Sequence, residues 1–412
     1  MLQNWKCNTT FAIAILFASP ILATQPAQAQ TFKVIYTFTG HTSAAHPLAG
    51  LTIDQQGNLY GTTAWGGKYN GGTVYELQPT QSGFTYSQLH SFGNGADGSF
   101  AWGGVTLGPN GILYGTTAGG GSHGDGAVFR MRQTSCQPAP CPWAETVLYS
   151  FTGQSDGRNP QAGVVLDAKG NIYGTNVNGG GSKVGVVYKM KPSGGGWTYK
   201  VLYTFTGAQD GANPSSLLIF DSAGNLYGTA ATGGDSGCGG FGCGTVYELT
   251  HSASGWTEHT LYSFQGGTDG GQPAAGLVAD SEGNLYGTTP GVIDGGTVFE
   301  LSPFAGSWMF NLAYDANGSG PGPVNTLIRD SAGNLYGSSW GDGLYGQGVV
   351  FKLTPANGSW TYTSLHDFTG GADGGNAEGG LVMDSKGNLY GTTYMGGLES
   401  CARCGVVYEI TP

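Results

Sequence analysis

The stretch Gly57-Asn58-Leu59-Tyr60-Gly61 decides the fold, because the chain writes it seven times. It returns as Gly111-Ile112-Leu113-Tyr114-Gly115, and again from Gly170, Gly224, Gly283, Gly333 and Gly387. Successive starts lie 54, 59, 54, 59, 50 and 54 residues apart. A regular period of this length, built of strand-like units, is the signature of a radial β-repeat.

The last copy shows the unit most plainly. Gly380 to Asp384 reads as a short apolar strand, and Ser385 to Asn388 as a turn that Asp384 caps and Gly387 opens with a positive φ. Leu389 to Thr393 continues as a second strand. After a glycine-rich loop, Val406 to Ile410 forms a third. In every copy the third strand has Val second and Tyr or Phe in the middle, so both of its faces are apolar, as stacked sheets require. Its fourth residue, Glu, Arg or Lys, reads as the solvent end. A fourth strand opens on Trp and ends on an aromatic, as in Trp197 to Phe205 and Trp256 to Phe264. The fifth copy, around Leu312-Ala313-Tyr314-Asp315, reads as degenerate.

Four strands in each of seven copies, with no helical periodicity, predict an all-β chain: a seven-bladed β-propeller of four-stranded blades. The seventh copy stops after its third strand. Phe32 to Phe38 carries the missing fourth, so the N-terminal strand is expected to complete the last blade and close the ring, in preference to an open solenoid.

Residues 1–29 read as a signal peptide, with Lys6 ahead of an apolar run from Phe11 to Leu22 and a small-residue cleavage site at Ala27-Gln28-Ala29. Residues 30–412 are then a single propeller domain. The apolar run is too short to span a bilayer. Val406 to Ile410 still reads as repeat, so no C-terminal anchor is expected, and the chain is expected to be exported, extracellular or periplasmic, as a monomer. The formal net charge of −11 becomes −12 without Lys6, which argues against nucleic acid and anionic membranes as partners. Six cysteines outside the leader form three local pairs, Cys136/Cys141, Cys238/Cys243 and Cys401/Cys404, which in an exported chain read as disulfides. Zinc would need four ligands converging from different repeats.

The run Asp-Ser-Ala-Gly-Asn-Leu-Tyr-Gly-Thr from Asp221, with Gly-Gly-Thr-Val-Tyr-Glu-Leu from Gly71 and Leu-Tyr-Ser-Phe from Leu261, resembles the GloVer tandem-repeat family of bacterial exported proteins. The resemblance covers Phe32 to Pro412. More loosely, the hairpin resembles the turns of NHL-type and sensor-kinase propellers. The GloVer resemblance implies a surface or secreted protein and brings neither an established activity nor catalytic residues.

Function in such a fold sits in loops. Strand order puts the loops between second and third strands on the same face as the links between blades. Five links carry Asp-Gly: Asp97, Asp156, Asp210, Asp269 and Asp373, each followed by glycine. These read as turns in which Asp bonds local backbone N–H groups. The alternative is a ring of carboxylates for Ca²⁺, which needs several oxygens converging on one ion. No other cofactor is indicated, and His41, His46 and His123 in long loops form no recognisable site. Trp143, Trp197, Trp256, Trp308 and Trp360 recur and are structural by repetition.

Trp65, Trp102, Trp340 and Tyr394 break the repeat and fall in long loops of blades that are contiguous in a closed ring. With Asp342 and Glu399 nearby, they suit stacking on sugar rings or gripping a protein segment; packing over their own loops is the structural alternative. The expected function is an exterior binding or scaffold module for carbohydrate or protein, with no catalytic residue indicated. A polysaccharide lyase or glycoside hydrolase would need paired carboxylates on this face. A structural envelope protein is the third reading.

Overall fold

The repeated turns are held by their own side chains. Asp384 Oδ1 accepts the N–H groups of Lys386 and Asn388 at 2.8 and 2.9 Å, and Oδ2 accepts the Asn388 amide at 2.9 Å. Asp54, Asp167, Asp221, Asp280 and Asp330 do the same. Gly387 sits at φ 88°, a conformation that penalises a Cβ. The second copy lacks the aspartate, and Pro109–Gly111 makes a 3-10 turn there instead.

A computed structural model describes residues 30–40, 44–93, 95–136, 141–235, 237–291, 295–316, 322–398, 401 and 404–411. The leader (1–29), His41, Glu399 and Pro412 lie outside the described residues. Those described form seven four-stranded antiparallel sheets arranged as a seven-bladed β-propeller. Blade 1 runs outward through Thr52–Ile53, Leu59–Thr63, Thr73–Thr80 and Gly83–Ser91. In blade 7 the outer strand is Thr31–Thr37, paired with Val406–Thr411 so that Phe32 faces Ile410 and Thr37 faces Val406. Closure therefore occurs inside a blade.

Three sequence readings are refined. The inner strand of blade 7 is only Val382–Met383, shorter than the apolar run implied. The outer strand of blade 5 is complete: Ser307–Asp315 pairs along Thr297–Phe304. Its aromatic pattern is lost but its backbone ladder is not, because pairing uses main-chain groups. The fourth residue of the third strand is half-buried rather than a solvent end: Tyr60 donates to Glu76 at 3.1 Å, Tyr227 to Glu248 at 2.8 Å and Tyr390 to Glu409 at 3.0 Å.

Gly61 is not a turn glycine. It lies within the second strand, where a Cβ would collide with the Tyr75 ring, and Gly287 under Phe299 and Gly391 under Tyr408 repeat the arrangement. The buried ring of the third strand thus needs a bare backbone beneath it. Between blades, outer-strand tryptophans lie edge-on to second-strand tyrosines of the preceding blade, Trp143 on Tyr60 at 6.1 Å and Trp360 on Tyr286 at 5.8 Å.

Two further sets of contacts join blade to blade. Near the axis, a Thr or Ser hydroxyl of each second strand donates to a backbone carbonyl of the next blade. Thr62 reaches Gly103 at 3.0 Å and Thr116 reaches Ala162 at 2.7 Å. The series continues through blades 3 to 6 and closes with Thr392 to Ala49 at 3.2 Å. At the outer rim, five seams carry a stacked aromatic pair, such as Tyr36 on Tyr86 at 4.4 Å, Tyr149 on Tyr199 at 4.3 Å and His366 on Phe32 at 3.6 Å. At the equivalent places in blades 2 and 4 stand Glu145 and Glu258. Each is partly buried, and burial pushes its carboxyl up to about 7, aided by repulsion from Asp97 and Asp210 respectively.

Candidate functional site

Among the described residues five blade links are laced to the long loop of the blade they enter, with Ala45 paired to Trp65, Ser99 to Gly119, Arg158 to Asn178, Ala212 to Thr232 and Gly375 to Met395. The two loop sets therefore form one continuous face. The Asp-Gly carboxylates are spent inside it. Asp156 accepts the Thr152 N–H at 2.9 Å and the Tyr149 hydroxyl at 3.0 Å. Burial alone would raise its pKa, but bonds from Thr152 and Tyr149 outweigh that and leave it below the ordinary carboxylate range. Asp210 repeats this bonding with Thr206 and Tyr203. Asp97, Asp269 and Asp373 accept the N–H groups of Gly93, Gln265 and Thr369. These are turn components. Among the described residues no group of three or more His, Cys, Asp or Glu is placed to hold a metal ion.

In six of the seven links the residue that begins the descent into the channel adopts a left-handed conformation, Gly322 of blade 6 being the exception. In three blades it is asparagine, Asn159, Asn213 and Asn376, with φ of 54° to 56°. Their amides donate to the neighbouring loops at Ala118, Val177 and Trp340. Asparagine tolerates this region because its short polar side chain bonds locally. Blades 1 and 2 place His46 and Phe100 there instead, at φ 58° and 59°, which is uncommon for bulky side chains. Both rings join the sequence-predicted aromatics: His46 lies 4.6 Å from Tyr394 and 6.4 Å from Trp65, and Trp65 lies 4.7 Å from Phe100.

The structure thus links Tyr394 and Trp65 through His46 and adds Phe100. Trp102 stands apart, at the mouth of the central channel. Trp340 is fixed by the Asn376 bond to its carbonyl, in the loop preceding Tyr394's blade. Asp342 turns inward: it is buried, and desolvation pushes its carboxyl up to about 6. It does not present a carboxylate to a ligand. Of ten exposed large hydrophobic residues among those described, six fall on this sector, Trp65, Tyr69, Trp102, Leu344, Tyr345 and Leu398. Tyr69, Leu344 and Tyr345 were not singled out in the sequence because they sit in glycine-rich runs without repeat counterparts.

The profile of the Gloeobacter/Verrucomicrobia repeat matches residues 21–139, 138–307 and 290–412. The chain belongs to the Gloeobacter/Verrucomicrobia repeat family. No protein of curated function matches it. Among solved structures, it is similar to an extracellular domain of a protein described as a one-component system, from B. thetaiotaomicron. The TM-score is 0.51 and the identity 9%, over 91% of this chain and 39% of that one. The chain thus spans about two fifths of the length of that structure, and at such identity the likeness shows the fold alone. An oxidoreductase described as a glucose dehydrogenase, from Thermus thermophilus, matches at a TM-score of 0.43 and 14% identity, over 93% of this chain and 100% of that one.

All three expected cysteine pairs of this repeat protein are bonded: Cys136–Cys141, Cys238–Cys243 and Cys401–Cys404. The last packs against Gly40, where the N-terminal strand leaves blade 7. No helix among the described residues is long and apolar enough to cross a membrane.

Proposed function

We propose that this protein is an exported binding module that holds a carbohydrate chain on the loop face of blades 6, 7, 1 and 2. One observation carries the reading: exposed aromatic and apolar side chains concentrate on that sector, where Trp65, Phe100, His46 and Tyr394 form a connected run. Aromatic faces suit the apolar faces of sugar rings, and low charge suits a neutral polymer. Two of these side chains hold left-handed positions that asparagine fills in three other blades, and backbone strain of that kind clusters at ligand sites. Export is supported by the three disulfides, which persist in oxidising compartments, and by the leader-like residues 1–29.

The test is a glycan array on the chain from Gln30, followed by affinity measurements on variants. Trp65→Ala should weaken binding at least fivefold without lowering the melting temperature, as truncating an anchor does. Trp256→Ala, which packs on Tyr173 of the preceding blade, should instead lower stability by about 3 kcal/mol. If the array stays blank while a protein partner binds through the same sector, the carbohydrate reading is wrong.

A further inference from the structure

All seven blades bound the central channel, a cavity of about 560 Å³ whose lining includes no ionisable side chain. That is unexpected in a chain of net charge −11. Its walls are aliphatic, with Leu107, Val165, Leu217 and Ile328 among them. The polar side chains in the wall are bonded within the protein: Thr52 and Thr106 donate to the carbonyls of Val105 and Val164, and Asn325 donates to Ala377 at 3.0 Å.

The mouth is different from the wall. One residue per blade, two places after the link residue that is left-handed in six of the seven blades, rings the opening on the loop face. Six of these line the cavity: Leu48, Trp102, Gln161, Ser215, Ala274 and Val324. The seventh equivalent is Glu378, whose N–H donates to Asn376 O just as the Trp102 N–H donates to Phe100 O, at 2.8 and 2.9 Å. The ring is therefore non-repeating in side chain although repeating in backbone. It sets an indole and an amide around one opening above a charge-free bore, with Glu378 at the equivalent backbone position of blade 7.

We infer that this mouth is a second ligand subsite, which takes the uncharged terminal pyranose of a glycan, stacked on Trp102 with its hydroxyls donating to Glu378 and Gln161. The inference rests on the carbohydrate reading above and adds which part of the glycan enters the protein. Trp102 is 37% exposed, so its face is open to a ligand. Desolvation alone raises the pKa of Glu378. A carboxyl short of water gains more from a ligand hydroxyl than one on the open surface does. A uronic acid would bring its own carboxylate to Glu378 and into an uncharged bore, with no cation to meet it, so charged termini are excluded.

The experiment uses the chain from Gln30 and small probes that can fill the mouth without bridging to Trp65. Methyl glycosides of glucose, galactose and mannose, and glucuronic acid, are titrated by saturation-transfer NMR and tryptophan fluorescence. At least one neutral glycoside should bind, and glucuronic acid should not. Trp102→Ala should weaken that binding at least tenfold and Glu378→Gln at least fivefold, while Phe304→Ala, exposed on blade 5 away from both sites, leaves it unchanged. Unaltered melting temperatures for Glu378→Gln and Trp102→Ala separate loss of contact from loss of fold. If a longer glycan binds in a Trp65-dependent way but no neutral methyl glycoside does, the channel inference fails and the surface reading stands. If a methyl glycoside binds with parental affinity to both mouth variants, the inference fails as well. Retained glycoside binding with a Trp65-independent array would sustain the channel and overturn the surface.

Discussion

Glu258 offers the sharpest test of how the blades are held together. It stands in the outer rim of blade 4 where other seams stack an aromatic ring, beside Tyr203 and the Asp210 carboxylate that Tyr203 bonds at 2.9 Å. Burial, then repulsion from Asp210, carries its carboxyl from an ordinary 4.5 to about 7, against a bond from Thr260. Below pH of about 4.5 both folded and unfolded chains hold the proton, and nothing is lost. Between there and 7 the unfolded chain releases its proton while the folded one keeps it, so stability falls as pH rises and levels off above 7. At about 1.4 kcal/mol per pH unit the ceiling is roughly 3 kcal/mol. Solvent at the open rim reduces this to about 1 to 2 kcal/mol. Denaturant melts of the parent and Glu258→Gln at pH 4 and pH 8 read it directly. The two should agree at pH 4, and the variant should be the more stable at pH 8 by about 1 to 2 kcal/mol. Aspartates such as Asp167 and Asp280, held below their ordinary values, act in the opposite sense, but they are common to both chains and cancel. An offset that is the same at both pH values, or a variant less stable at pH 8, would refute the account.

Two more outcomes follow from the packing. Deleting Thr31 to Phe38 strips blade 7 of its outer strand and bares the Val406–Thr411 edge, so the chain should aggregate or melt far below the parent in a thermal scan; parental melting would rule out closure by that strand. Tyr188 buries a hydroxyl without a protein partner, as Tyr75, Tyr247 and Tyr408 do, whereas Phe129, Phe299 and Phe351 fill the same place in three blades. Tyr188→Phe should leave stability unchanged or raise it by up to about 1 kcal/mol; a loss of that size in a denaturant melt would mean the hydroxyl is satisfied.

The repeat made the scaffold legible, since a strand that must stack between two others shows its pattern seven times. Closure by Phe32 to Phe38 was readable because the missing outer strand and the surplus one carry the same aromatic ending. The strand that carries Gly61 was legible, but the reason it must be glycine was not, because only the Tyr75 ring above it shows that no Cβ fits. The site was harder. Trp65 and Tyr394 stand out as departures from the repeat, but the residue joining them, His46, looks like any loop histidine. Its signal lay in comparing links: Asn159, Asn213 and Asn376 occupy the place that His46 and Phe100 take. Asp342 carried no such mark, because whether a loop carboxylate turns outward depends on neighbours from another blade.

The hydroxyl bonds near the axis also dictate an order of assembly. Six of them join residues 37 to 46 positions apart, so each seam can form as soon as one further blade exists. The seventh, Thr392 to Ala49, spans 343 positions, and the pairing of Phe32 with Ile410 spans nearly the whole chain. Contacts between nearby residues form fast and contacts across a long loop form slowly. As the chain is made from its N-terminus, the first strand written is the last to find a partner. It must wait, unpaired, until the final strand has been synthesised, which makes ring closure the slow step and the N-terminal strand the segment most exposed to mispairing on the way.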